Sequence, residues 1–285
     1  MPSATDYLTT AFNPKPGDIY PGMPNDFYHN SNGISKTKLD LFANDQSSLE
    51  WAKNCPVDKE KLKTLDFGDA AHAICLEPDR LKNDFFVLPK LDCRKTKDKE
   101  KKAELLKENA GKKLITAEEY KKLTLMFDSV MAHPFARKLI ESPGISEQSY
   151  YWTDPDTGIL CKCRPDRAMS ESPILVDIKT TDLLKNFRYS IQDYRYYVQD
   201  PFYMDGVNAC GEERETFVFL VIQKTIELGR YPVKNFCLSQ RAIDHGRETY
   251  KRNLHEYAEA IENNQFDGIY EAELPYSLEQ EINGY

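Results

Sequence analysis

Apolar residues recur along this chain with two different periods, one near 3.6 in the first half and again at the C-terminal end, the other two or continuous in the middle. Ile34 to Ala52 places Leu39, Phe42, Leu49 and Trp51 at helical spacing and is entered through Ser31 or Ser35, whose hydroxyls suit the free amides of a first turn. Leu65 to Leu76 reads as a second helix. Thr116 to Met131 reads as a third, with Leu123, Met126, Phe127 and Val130 as its stripe and Thr116 and Glu119 as a reciprocal capping box. The period then changes. Glu147 to Thr153 alternates as a strand, Asp154-Pro155-Asp156-Thr157-Gly158 is a turn, and the runs Ile159 to Cys163 and Ile174 to Ile178 are two short strands separated by Ser170, Glu171, Ser172 and Pro173. Leu183 to Asn208 is a helical stretch in which Pro201 should introduce a kink or begin a second helix capped by Asp200. Glu215 to Gln223 and Tyr231 to Leu238 are strands, and Ser239 to Asn263 is a long terminal helix. Residues 1 to 27, with Pro at 2, 14, 16, 21 and 24, are too broken for a regular element and should form an arm, leaving 28 to 285 as one domain. Strands set among helices in this order predict an α/β protein with a central mixed sheet flanked by helices.

The apolar run at 174 to 178 carries a charged pair, Asp177 and Lys179. Residues two apart in a strand share a face and lie about 6.5–7 Å apart, so a carboxylate and an ammonium are presented together from a segment that is otherwise core. Asp166 follows Pro165 at the end of the preceding strand, and a hairpin would bring a second carboxylate to the same rim. Two hard oxygen donors beside a lysine suit Mg²⁺ or Mn²⁺, which keep several waters and bind phosphate oxygens. Lys179 could then hold or deprotonate a metal-bound water, since a dication and burial both lower a lysine pKa. That assembly can hydrolyse a phosphodiester. A strand edge whose two charges reach solvent is the plainer alternative.

Charge distribution matters more than its sum. The net charge of −8 is unexpected for a DNA-binding chain, but residues 253 to 285 hold eight acids and no Lys or Arg, so the first 252 residues are neutral overall. Between Arg94 and Lys113 nine basic residues face four acidic ones, an exposed loop or frayed helix that is either a solvated face or a basic flap over DNA. The acidic tail could dock a partner or repel DNA from the outside. No apolar run approaches bilayer length, and Met1 to Tyr20 lacks the basic start and apolar stretch of a secretory leader, so a cytoplasmic protein without a membrane partner is expected. Seven cysteines at irregular spacing predict reduced thiols, with Cys161 and Cys163 as small core residues of one strand face.

Pro165-Asp166, ten intervening residues and Asp177-Ile178-Lys179 resemble the PD-(D/E)xK nuclease signature, and the longer texts Cys-Arg-Pro-Asp-Arg, Val-Asp-Ile-Lys-Thr-Thr and Tyr-Arg-Tyr-Tyr-Val-Gln-Asp-Pro-Phe-Tyr resemble the RecE-type (exodeoxyribonuclease VIII) nuclease domain over roughly residues 28 to 265. Gly68-Asp69-Ala70-Ala71-His72 is similar to the first motif of that group, its small residues allowing close packing. The resemblance implies a restriction-endonuclease-like fold. It also implies a divalent ion held by His72, Asp166, Asp177 and the Ile178 carbonyl, with Glu147 as an additional acid and Lys179 at the attacking water. Gln199 and Tyr203, four apart on one helix face, match the Gln-x-x-x-Tyr pair that lines the DNA groove, although Pro201 stands where the family pattern commonly has a helix former. Thr37 and Lys38, at a helix start whose free amides make an anion site, correspond to the segment that meets a terminal phosphate. The activity implied is 5′→3′ exonucleolytic resection of double-stranded DNA ends by a homo-oligomeric ring, a trimer or tetramer, leaving a 3′ strand for an annealing protein. A same-fold nuclease of other polarity, an endonuclease, or a DNA-binding module without hydrolysis are the alternatives.

Overall fold

A computed structural model describes residues 13–56, 63–92, 94–266 and 272–282. In chain order its elements are β1 (Ile19–Tyr20), α1 (Asn25–Asn30), β2 (Ile34–Ser35), α2 (Lys36–Asn44), α3 (Ser48–Asn54), α4 (Lys63–Leu76), α5 (Pro78–Asp84), β3 (Phe85–Leu88), α6 (Thr96–Glu108), β4 (Lys113–Thr116), α7 (Ala117–Ala132), α8 (Pro134–Glu141), β5 (Gly144–Ser146) and β6 (Ser149–Thr153). There follow β7 (Leu160–Cys163), β8 (Arg167–Met169), β9 (Ile174–Thr181), α9 (Phe187–Asp193), α10 (Tyr196–Ala209), β10 (Thr216–Gln223), β11 (Val233–Phe236), α11 (Gln240–Asn263) and α12 (Tyr276–Ile282). The strands form a five-stranded sheet in the order β11-β10-β9-β8-β5, a four-stranded sheet β1-β6-β7-β2 and the pair β3-β4.

The five-stranded sheet is mixed: β9 and β10 run parallel and the other neighbours antiparallel. It is covered on both faces, which is why β10 is a continuous apolar run and not an alternating one. Leu175, Phe217, Phe219 and Val221 pack with Val198, Phe202 and Val207 of α10 and Tyr250 and Leu254 of α11. Val176, Ile178, Val218, Leu220 and Ile222 pack on the other side with Met126 and Val130 of α7 and Leu139 of α8. Asp177 and Lys179 continue the row begun by Leu175, so the alternation of β9 aims both at α10. The α/β sandwich expected from the sequence is therefore present, with a second sheet beside it.

That second sheet corrects the expected hairpin. The run ending at Cys163 does not pair with β9; β7 pairs with β6 and β2, and the hairpin partner of β9 is the short β8. The chain crosses between sheets at Arg164 and Pro165, where a residue without an N–H cannot extend a ladder. Asp166 thus precedes a strand and does not end one. The long first helix is also divided: Ser35 caps α2, which stops at Asn44, and the Asp45 carboxylate accepts the backbone N–H and the hydroxyl of Ser47 before α3 begins. Leu39 and Phe42 are core as expected, but Trp51 on α3 is 65% exposed. Residues 1–12 of the expected arm lie outside the described residues, whereas β1 pairs with β6 and Met23 and Tyr28 are buried against Tyr151. The basic stretch forms α6, with no buried residue.

The 183–208 stretch breaks at Arg195, in the left-handed region at φ 51°, so α10 starts at Tyr196 and Pro201 lies inside it. Asp200 is therefore an interior residue and not a cap. Proline deprives the carbonyl four residues earlier, Tyr197 O, of its helical donor. Gly246 of α11 sits against this carbonyl: a Cβ there would stand 1.7 Å from Tyr197 O.

Candidate active site

Five separate segments supply the site. His72 lies on α4 and points its Nδ1 at Asp166 Oδ2, 3.1 Å away. The same oxygen accepts the Ile178 backbone N–H at 2.6 Å, which ties the residue before β8 to the middle of β9. Because the N–H and C=O of a strand residue leave on the same side, the Ile178 carbonyl turns toward this opening as well. Glu147 joins from the link between β5 and β6, held at φ 52°, a conformation that L-residues adopt at a cost and that here turns a carboxylate inward. Ligand atoms of His72, Glu147 and Asp166 all lie within 4.8 Å of one another. The expected strand from Glu147 begins only at Ser149 for this reason.

Asp177 is 2% exposed. Its Oδ1 accepts from the Gln199 amide and its Oδ2 forms an ion pair with the Lys179 ammonium. The converging imidazole and carboxylate atoms of His72, Glu147 and Asp166, with the Ile178 carbonyl beside them, fit a hard divalent cation, for which carboxylate, imidazole and backbone carbonyl are suitable donors. The residues thus fit the expected ion. His72, Asp166, Glu147 and the Ile178 carbonyl would hold it, with Asp177 alongside.

Electrostatics follow from crowding three acids with little water. Burial and then the Asp166 charge push the Glu147 carboxyl up to about 8. Burial also raises Asp177. Asp166 is the exception, because the His72 imidazolium, Lys179 and the Ile178 amide outweigh its burial and hold it below the usual carboxylate range. Burial works against the His72 cation, but the Asp166 charge overcomes it and holds the imidazole up at about 9. Lys179, in the chain without an ion, is set by the same balance. Burial alone would lower it, yet Asp177 and Asp166 outweigh burial and keep it above its ordinary value, so the chain by itself supplies an ammonium and not a free amine. A Lys179 ammonium can hold and orient a nucleophile or a phosphate oxygen.

The structure brings together His72, Glu147, Asp166, Asp177, Ile178, Lys179 and Gln199. Tyr203 lies one turn beyond Gln199 on α10, raised by burial and facing the field of Asp177 and Asp166. Thr37 is exposed and Lys38 half-buried on the first turn of α2, without a contact to these groups. The neighbouring Lys36 is the α2 residue that reaches inward: it is buried, donates to Tyr194 O at 2.6 Å, pairs with Asp40 at 2.6 Å and feels the Lys179 charge. Tyr196 is a second residue that sequence reasoning passed over, its ring 4.9 Å from Lys179 Nζ. Its position three before Gln199 put it on the right helix face. Gly68 has the opposite outcome. A Cβ there would meet nothing within 4 Å among the described residues, so its smallness is not used for packing against them, unlike that of the buried Ala70 and Ala71.

Residues 40–271 match the family model of the PDDEXK-like domain of unknown function DUF3799. The chain belongs to this PDDEXK-like family. Its Pro165-Asp166 and Asp177-Ile178-Lys179 are the residues that the fold brings to one site. No curated protein matches the PDDEXK-like chain in sequence. Among solved structures it resembles a Eubacterium rectale protein provisionally assigned as an exonuclease, at 10% identity and TM-score 0.55 over 89% of this chain and 93% of that one. An alkaline exonuclease from Laribacter hongkongensis aligns at 14% identity over 60% of this chain and 86% of that one, with a TM-score of 0.30. The first likeness agrees with the mixed sheet between helix layers. Among the described residues no helix is long and apolar enough to cross a membrane.

Proposed function

We propose that this PDDEXK-like protein is a Mg²⁺-dependent deoxyribonuclease, with Mn²⁺ as a substitute, acting as a 5′→3′ exonuclease on double-stranded DNA ends. The observation that carries the reading is the convergence of His72, Glu147 and Asp166 within 4.8 Å beside the Asp177–Lys179 pair. A bound divalent ion would neutralise charge developing on the phosphoryl and leaving oxygens. Lys179 orients the attacking water or a phosphate oxygen, Gln199 fixes the Asp177 carboxylate, and Asp166 is fixed by the Ile178 amide and His72. Tyr203 lines the groove, and Thr37 and Lys38, at the start of α2, face the terminal phosphate. The product would be a 3′ single strand passed to an annealing protein, and a homo-oligomeric ring of three or four copies would let an acidic cytoplasmic chain encircle DNA.

The test is degradation of a 5′-phosphorylated linear duplex by wild type and Asp166→Ala, with and without chelator. Loss of wild-type activity on chelation and with Asp166→Ala is expected. A protein that shifts the duplex on a gel but leaves it intact with Mg²⁺ or Mn²⁺ would make this a binding module. Release of a 3′ label first, or cleavage of a closed circle, would overturn the polarity.

A further inference from the structure

Next to the acidic centre the α9–α10 junction displays an aromatic ring that the proposed reaction leaves without a role. Tyr194 is 62% exposed, yet the turn that carries it is tightly fixed. Its carbonyl accepts from the buried Lys36 ammonium at 2.6 Å. Arg195, next in sequence and in the left-handed region, pairs with Asp40 at 3.2 Å, and Asp40 in turn pairs with Lys36. One face of the Tyr194 ring stacks on Tyr196, centroids 5.6 Å apart and planes 24° apart. Tyr196 is wedged on Phe219 at 5.5 Å, and the Lys179 ammonium stands 4.9 Å from its centre. An exposed ring held in a defined plane, one ring away from the Lys179 amine of the centre, presents a flat apolar face beside the place where a phosphate would lie.

A nucleobase is the ligand with that combination of flat face and attached anion. Within a duplex both faces of a base are covered by its neighbours, so only a base at an end, or one pulled out of the stack, can lie on the ring. We propose that Tyr194 is a stacking platform for the base of the nucleotide at the DNA end being degraded, which holds that nucleotide unstacked while its phosphate lies at the metal centre. This rests on the nuclease reading and adds to it how the strand end is presented. Tyr196 passes the position of the platform to Lys179 and is a positioning residue.

The test uses the full chain and duplexes carrying either 2-aminopurine or an abasic residue as the terminal nucleotide. Binding with Ca²⁺ in place of Mg²⁺ should quench 2-aminopurine fluorescence in wild type and Tyr194→Trp but not in Tyr194→Ala. In turnover, Tyr194→Ala should lose roughly tenfold or more in kcat/KM on an intact end, in line with the contribution of one base stack. Wild type on an abasic end should fall to the same level, and Tyr194→Ala should lose nothing further there, because both changes remove one interaction. Tyr120→Ala, on α7 across the sheet, should behave as wild type. Full activity of Tyr194→Ala on intact ends, or additive losses in the variant and the abasic substrate, would overturn the platform. The abasic arm needs no substitution, so a variant that fails to fold does not remove the test. Quenching without any hydrolysis would retain the platform and refute the nuclease.

Discussion

Gly246→Ala is the substitution whose outcome the geometry fixes most sharply. In an ordinary helix interior, alanine in place of glycine stabilises by about 1 kcal/mol through backbone entropy. At position 246 the new Cβ would stand 1.7 Å from Tyr197 O and 3.1 Å from Pro201 Cγ, and the first of these is backbone that cannot swing away. Restoring an allowed contact requires α10 and α11 to part by more than about 1 Å, a gap that forfeits a quarter to a half of each dispersion contact along the seam. That seam includes Val198, Phe202, Tyr250 and Leu254, all buried. Overpacking of this kind costs about 1–3 kcal/mol and occasionally more. With backbone displaced the upper end applies, and after subtraction of the propensity gain the variant should be destabilised by about 2 kcal/mol. Urea unfolding followed by circular dichroism would read this as a lower midpoint at unchanged slope, and heating as a fall of roughly 3 °C. A variant as stable as wild type, or more stable, would refute the account of the α10–α11 contact.

Other outcomes follow from single sites. Gly68→Ala meets no atom within 4 Å and should stabilise the chain by about 0.5–1 kcal/mol by thermal melting. If DNA passes over the α4 turn preceding His72, the same variant should lose activity while gaining stability, and unchanged turnover would place the DNA elsewhere. Glu147, buried with its carboxyl pushed up to about 8 from an ordinary 4.5, binds its proton more tightly folded than unfolded, so its contribution to stability is present at low pH and lost as pH rises from about 4.5 through 8. In chelator, Glu147→Gln should therefore melt higher than wild type at pH 9, by an amount worth about 2–4 kcal/mol, and converge toward it at pH 5. Added Mg²⁺ should raise the wild-type midpoint and leave that of the variant unchanged or nearly so, whereas equal response would remove Glu147 from the ion's ligands. Thr116→Ala removes the half of the capping box in which the threonine hydroxyl accepts the Glu119 N–H, leaves the backbone N–H of 116 on the Glu119 carboxylate, and should cost about 1 kcal/mol in urea unfolding.

Local chemistry made much of this legible. Thr116 and Glu119 announced the start of α7, and the unbroken apolar run of β10 announced a strand covered on both sides. Asp177 and Lys179 stood out because charges inside an apolar strand need partners, and the period of two already put them on one face. The metal group could be drawn only through the family motif, since His72 and Glu147 join Asp166 across long stretches of chain and through a left-handed turn at Glu147 that no pattern of residue types announces. Which sheet received the run 160–163 was equally hidden: its alternation suits either partner, and the crossing at Pro165 decides. Lys36 was missed because a lysine in a first helical turn reads as solvated, and here Asp40 and Tyr194 O lie close enough to keep it buried.

The placement of the three acidic-centre ligands also bears on how the molecule comes apart. His72 sits on α4, which shares a small core with β3, β4 and α7 and also sets Cys75 against the main sheet, while Asp166 and Glu147 adjoin β8 and β5 of that sheet. A cation shared between them would act as a rivet between two layers that otherwise meet chiefly through side chains. Removing it with chelator should loosen the α4 layer first, visible as earlier amide exchange and protease nicking there than in β9 and β10. Occupancy of the centre would then set the lifetime of the folded protein as well as its chemistry.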